Sequence, residues 1–301
     1  MSLLLGLDLG GTNIKAAVIA ATTDGIEVTA TSTTRTPTTD ADDILQALGA
    51  VATGHLATAP VSAVGMTFPG VIDPDTGIPT VTPNLPGDWA GVSVSRRLGE
   101  LLGHQVAVLN DARAFTLAES EAGAAKGYAH VLAIVLGTGI GGGLVIGGRL
   151  HGGHDGIAGE FGHQTVVPDG PRCGCGNRGC IEAVARPSII AASAGVATAE
   201  EAFELAAAGE DRAIRAVNEA VEHLAIGIAN VHAIVAPDIV VIGGGVARVG
   251  AALLDPLRRA VARRIHLTPP EHLPLVTSHF GSYSGAVGAA LWARDVERGG
   301  R

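Results

Sequence analysis

Every cysteine of the chain lies in one short stretch: Cys173, Cys175 and Cys180 fall within eight residues, and His163 stands ten positions upstream. Three thiolates and one imidazole are the donor set of a tetrahedral zinc site. Gly174, Gly176 and Gly179 keep side chains from between the thiols and allow the turns that wrapping a small ion needs. Buried cysteines that serve only as small apolar residues scatter along a chain, and these do not. His151 and His154 are also nearby; His163 is favoured because it follows Glu160 on one short segment, GEFGH. Four protein ligands leave no open coordination position, so such a zinc is structural and the chemistry belongs elsewhere.

Other residues could act on an anion. Asp8 precedes Gly10, Gly11, Thr12 and Asn13, a turn whose bare backbone N–H groups and threonine hydroxyl let a phosphate approach. A second turn of the same design carries Gly137, Thr138 and Gly139, and a third glycine cluster is Gly243, Gly244 and Gly245. No G-x-x-x-x-G-K-[ST] loop is present, and Arg248 breaks a dinucleotide fingerprint, although a base or ribose can lie against 243–245. Asn110 and Asp111 end an apolar run and open a helical one, so Asp111 is read either as a catalytic carboxylate or as a helix N-cap. Asn84, in the loop TPNLPGDW, is either a ligand-binding amide or a residue that stabilises its own turn.

The elements that must position these groups follow from hydrophobic periodicity. Apolar runs at 3–9 and 14–20 predict a β-hairpin closed by Gly10–Asn13. Residues 41–57 predict a helix with Ile44, Leu45, Leu48 and Val51 on one face and Asp40 at its start. Strands are predicted from Val61, at 106–109, on both sides of Gly137–Gly139, and at 239–247 running into the triple glycine. Helices are predicted at 112–125, through most of 186–235, and at 282–297. The two hairpin units, about 125 residues apart, imply a duplicated architecture in which two turns grip one polyphosphate.

A chain of 301 residues exceeds one ordinary core, and a hydrophobic fraction of 47% can fill two. The formal charge of −9 and the lack of a basic stripe argue against nucleic acid as a partner. Arg258, Arg259, Arg263 and Arg264 read as a solvated helix face. No apolar run of membrane-spanning length and no signal peptide are visible. Thiols clustered for metal fit a reducing cytoplasm.

Taken together, DLGGTNIK at 8–15, NDA at 110–112, LGTGIGGG at 136–143, GEFGH at 159–163, CGCGNRGCIE at 173–182 and IGGG at 242–245 resemble the ROK family of bacterial sugar kinases and repressors. The resemblance spans essentially the whole chain, and its most specific part is the cysteine motif beside GE-x-GH. It implies an α/β protein of the actin/hexokinase-type ATPase fold, two lobes around a central cleft. The N-terminal lobe would be 1–112, with helix 285–298 packing back on it, and the C-terminal lobe 113–284 would carry the zinc loop.

The resemblance further implies that Asp111 is the general base of an ATP-dependent hexose kinase, glucose being the expected acceptor. Asn84, Asn110, Glu160, His163 and Glu182 would join Asp111 in holding the sugar. Asp8 would position the magnesium that accompanies ATP, and the turns at 10–13, 137–139 and 243–245 would hold the nucleotide. Asn13 stands where many relatives carry lysine, with Lys15 two residues on, so either side chain can be the one that reaches phosphate. Arg113 replaces the asparagine usual after NDA in glucokinase-like members, which leaves fructose, mannose or N-acetylmannosamine as alternative acceptors. A sugar-sensing regulator is the remaining alternative, and a homodimer or homotetramer is the expected assembly.

Overall fold

A computed structural model of the protein describes residues 2–22, 25–73, 76–82 and 85–299. The chain forms two units, each with its own core. The first comprises Met1–Gly123, Gly152–Ala158 and Ser282–Arg301, and the second Ala124–His151 and Gly159–Gly281.

In the first unit the leucine-rich opening forms β1 (Ser2–Leu9), which turns back into β2 (Asn13–Thr22) and then β3 (Gly25–Arg35). β3 is absent from the sequence-based expectation because it is a mostly exposed edge strand, rich in threonine and serine, with no apolar run to reveal it. α1 (Ala41–Leu56) follows, capped by the Asp40 carboxylate, which accepts from the Asp43 N–H. Its Ile44, Leu45 and Leu48 are buried as the periodicity requires. Next come β4 (Val61–Phe68), a small ribbon of β5 (Val71–Ile72) and β6 (Pro79–Val81), α2 (Val94–Leu102), β7 (Val106–Asn110) and α3 (Asp111–Glu121). The main sheet has the order β3-β2-β1-β4-β7, with β1, β4 and β7 parallel and the β1–β2–β3 meander antiparallel.

The second unit repeats that plan. β8 (Val131–Leu136), β9 (Ile140–Ile146) and β10 (Arg149–Leu150) form an antiparallel meander, followed by α4 (Ile181–Ala185), α5 (Pro187–Ala194), α6 (Ala199–Ala207) and α7 (Asp211–Val235). β11 (Ile239–Gly243), α8 (Ala251–Ala262) and β12 (Leu275–Thr277) complete it. The order β10-β9-β8-β11-β12, with β8, β11 and β12 parallel, matches the first sheet strand for strand. α7 ends on Ala236 in the left-handed region, just before Pro237. The arginines in and just after α8 are partly ion-paired rather than simply solvated: Arg263 and Arg264, past its end, both meet Glu222, and Arg258 within it meets Asp255 at 2.9 Å.

The final helix, α9 (Ser284–Glu297), returns to the first unit and lies across β1, β4 and β7 against α3. Its approach is as close as backbones allow. A Cβ on Gly6 of β1 would fall 1.7 Å from the Ala286 carbonyl oxygen, one on Gly65 of β4 1.9 Å from that of Ala289, and one on Gly288 1.7 Å from that of Ala114 in α3. Trp292 pins the far end, donating its indole N–H to the Val108 carbonyl at 3.1 Å. The first unit therefore extends past residue 112 to Gly123, because α3 packs on α9 and belongs with it. Among the described residues no helix is long and apolar enough to cross a membrane.

Candidate functional site

Parallel strands bring their carboxyl ends to one edge of a sheet, and in the first unit that edge collects polar groups. Asp8 is paired with Thr67 across β1 and β4, and Asn110 is paired with Phe68 across β4 and β7. The fully buried Thr67 donates its hydroxyl to Asp8 Oδ1 at 2.7 Å and accepts the Leu9 N–H at 3.1 Å. Lys15, directly opposite Asp8 on β2, brings Nζ to 3.8 Å from Oδ2. Burial raises the Asp8 pKa above the ordinary carboxylate value, and Lys15 and Thr67 only partly offset it. Such a carboxylate gains from any further cation brought to it. The start of α9 presses on it, since a Cβ on Gly285 would lie 2.6 Å from Asp8 Oδ1.

The turn after β1 is held from behind. Gly10 N–H donates to the Asn13 carbonyl at 3.0 Å, and Thr36 donates its hydroxyl to the Gly10 carbonyl at 2.7 Å and its N–H to that of Thr12 at 3.0 Å. Gly11 and Thr12 are left exposed at the tip. Asn13 sits in the β2–β3 pairing opposite Arg35, whereas Lys15 flanks Asp8.

At the end of β7 the two readings of Asp111 separate. Asn110 is the N-cap of α3: its side-chain oxygen accepts the Arg113 N–H at 3.1 Å, and its amide donates to the Gly70 carbonyl at 2.9 Å. Asp111 occupies the first helical position, exposed, with Oδ1 accepting from its neighbour Ala112 N–H at 2.8 Å and from the Asn110 amide at 3.0 Å. A helix N-terminus is a favourable place for a carboxylate.

In the second unit the parallel pair β8 and β11 sets two glycine turns side by side. Gly243 pairs with Val135, and Gly244, at φ +89°, lies so close that a Cβ would come within 2.2 Å of the Leu136 carbonyl oxygen. The 137–139 turn closes with Gly137 N–H on the Gly139 carbonyl at 3.0 Å, leaving Thr138 exposed.

The cysteine loop folds next to that turn. His163, Cys173, Cys175 and Cys180 hold their ligand atoms within 4.8 Å of one another. Zinc bound tetrahedrally at about 2.3 Å from sulfur and 2.0 Å from nitrogen separates two sulfurs by about 3.8 Å and a sulfur from a nitrogen by about 3.5 Å. Cys175 and Cys180 Sγ are 3.8 Å apart, and Cys173 Sγ is 3.6 Å from His163 Nδ1. The other ring nitrogen, Nε2, faces Glu160 Oε2 at 3.9 Å, the side from which a carboxylate orients a ligating imidazole. Burial, together with the neighbouring thiols, pushes the Cys180 thiol up to about 12, and burial raises Cys173 as well. For Cys175 the upward push of burial is outweighed by the Asn177 N–H and the other two thiols, which lower it. Three thiolates so close need a cation among them. Gly176 and Gly179 take the left-handed conformation the loop requires, while Gly174 does not. His151 and His154 are outside the cluster.

Glu182, two residues after Cys180, directs Oε2 at the Ile140 N–H, 2.8 Å away, and Oε1 toward Cys173 Sγ at 3.9 Å. Asn84 lies outside the described residues. Thr67, Thr36 and Gly285 were missed by sequence reasoning; Thr67 alone left a signal, a hydroxyl inside the apolar run VGMTF.

The ROK family model matches residues 4–296. A glucokinase from Thermotoga maritima is 35% identical, with 95% of this chain and 96% of that protein covered. An N-acetylmannosamine kinase from Vibrio cholerae is 30% identical, covering 95% and 98%. The crystal structure of a ROK family glucokinase from Streptomyces griseus in complex with glucose and AMPPNP superposes with a TM-score of 0.85 at 32% identity, covering 98% of this chain and 100% of that one. The fold is thus that of the ROK hexokinases and glucokinases, the actin/hexokinase-type ATPase fold.

Proposed function

This chain belongs to the ROK family and is an ATP-dependent sugar kinase, and from that premise we propose that it converts a hexose, glucose above others, to its 6-phosphate. Asp111 is the general base: it takes the proton of the sugar 6-hydroxyl as that oxygen attacks the γ-phosphorus, and ADP leaves with the bridging oxygen. One observation supports this role more than any other. The cap of α3 is supplied by Asn110, so Asp111 is not needed to start the helix. Asn84, Asn110, Glu160, His163 and Glu182 hold the sugar, offering the paired donors and acceptors that adjacent hydroxyls require.

Asp8, Gly10, Gly11, Thr12 and Gly137, Thr138, Gly139 serve the phosphates, with Gly243, Gly244 and Gly245 against the nucleoside. Asp8, a carboxylate set at the carboxyl end of β1 beside Thr67 and Lys15, would face the magnesium that accompanies ATP, directly or through water, and that ion would offset charge on the phosphate oxygens. Lys15, tied to Asp8, is the side chain for the phosphate side, and Asn13 is a strand residue. His163, Cys173, Cys175 and Cys180 hold a structural zinc, which when bound supplies rigidity to the segments bearing Glu160 and Glu182 and no reacting atom.

A coupled ADP-release assay over glucose, fructose, mannose and N-acetylmannosamine tests the assignment. Glucose is expected to give the highest kcat/KM. A preference for N-acetylmannosamine, the acceptor in the name of the Vibrio cholerae relative, would replace glucose, and the absence of ADP release with every hexose would sink the proposal. Cys175→Ser is expected to lose zinc, read by elemental analysis, and to weaken sugar binding. Cys175 is the exposed member of the set, so the change disturbs the core least. A zinc-free protein of full activity would exclude the site.

A further inference from the structure

The carboxylate of Glu182 is committed to the backbone of a glycine turn rather than standing apart from it. Oε2 accepts the Ile140 N–H at 2.8 Å, and Ile140 is the residue that follows Gly139. Gly139 lacks a side chain where the carboxylate needs the space: a Cβ there would lie 2.2 Å from Oε2. Ile140 is closely packed on its other side as well. Gly162, beside His163, comes so close that a Cβ would fall 1.9 Å from the Ile140 carbonyl oxygen. One residue thus has its N–H bonded by one end of the cysteine loop and its carbonyl oxygen packed closely against the other. Oε1 of the same carboxylate points back toward Cys173.

We infer that Glu182 is a positioning residue for the 137–139 turn, through which the cysteine loop sets the protein's affinity for the nucleotide triphosphate as well as for sugar. The inference deepens the proposed function and rests on its assignment of 137–139 to phosphate. A carboxylate beside a phosphate turn would by charge alone weaken anion binding, so its removal has opposite effects under the two accounts. If the hydrogen bond to Ile140 dominates, losing it loosens the turn and costs affinity. If repulsion dominates, losing it improves affinity.

The test measures binding of a non-hydrolysable ATP analogue with magnesium in sugar-free, metal-replete protein. Glu182→Ala is expected to weaken binding about tenfold, the scale of a lost charge-assisted hydrogen bond, and Glu182→Gln, which keeps an acceptor oxygen without the charge, to stay within about threefold of the unaltered protein. Gly139→Ala pushes a flexible carboxylate aside rather than striking backbone. It should therefore cost about tenfold alone and little more once Glu182 is alanine. Equal costs for Gly139→Ala in both backgrounds, or an unchanged or improved affinity in Glu182→Ala, overturn the inference. Should the unaltered protein bind no nucleotide, the functional reading fails, and amide exchange still decides the coupling. The Ile140 amide is expected to exchange faster in ligand-free Glu182→Ala, and unchanged exchange overturns the link.

Discussion

Asp111→Asn is expected to yield a folded protein that binds hexose within about tenfold of the unaltered chain and turns over at least about 100-fold more slowly, the scale of a lost general base. The substitution is nearly silent for structure. Asparagine keeps an oxygen for the Ala112 N–H, and the cap of α3 stays with Asn110. It removes the capacity to take a proton. The neighbouring Asn110→Ala supplies the contrast: loss of that cap should cost about 1 kcal/mol of stability, visible in denaturant melts, because a helix N–H loses its acceptor. Turnover of Asp111→Asn near the unaltered value would remove the carboxylate from the mechanism.

The largest effect on stability is expected at Gly6. Valine there suits a strand by local propensity, yet its Cβ would stand 1.7 Å from the Ala286 carbonyl oxygen, and neither β1 nor α9 can move without disturbing Gly65 and Gly288. Gly6→Val should cost about 3 kcal/mol or more, the upper end of overpacking, and fail to fold if the helix cannot lift. Both tryptophans, Trp89 and Trp292, report on the first unit, so fluorescence in urea follows it. Gly54→Ala is the control: that position lies in α1 with open space around it, and should gain about 0.5–1 kcal/mol. A Gly6→Val midpoint equal to the unaltered one would refute the close-packing argument.

What the sequence made legible was local. The hairpins around Gly10–Asn13 and Gly137–Gly139 have short-range signatures, as do the Asp40 cap and the cluster of Cys173, Cys175 and Cys180. What escaped depends on partners far along the chain. Glycine in an apolar run, as at Gly6 and Gly65, says nothing of the helix that will press on it from more than 200 residues away. Glu182 was read through its resemblance to a sugar ligand, because no periodicity reveals that its carboxylate meets Ile140, 42 residues earlier. Asp111 shows the reverse case, where the competing role of helix cap was plausible from position alone and only the hydrogen bond of Asn110 to Arg113 assigned it to the neighbour.

The interleaved order of the segments also bears on synthesis. Ser282–Arg301 belongs with Met1–Gly123, while the whole of the other unit lies between them. On the ribosome, which extends a chain at about 5–20 residues per second, the later-encoded unit can close while the earlier one still lacks the helix that roofs β1 and β4. Until translation ends, the face of the sheet that carries Gly6 and Gly65, with Leu4 and Ala63 beside them, stays bare, and it is where a nascent-chain chaperone would find its foothold.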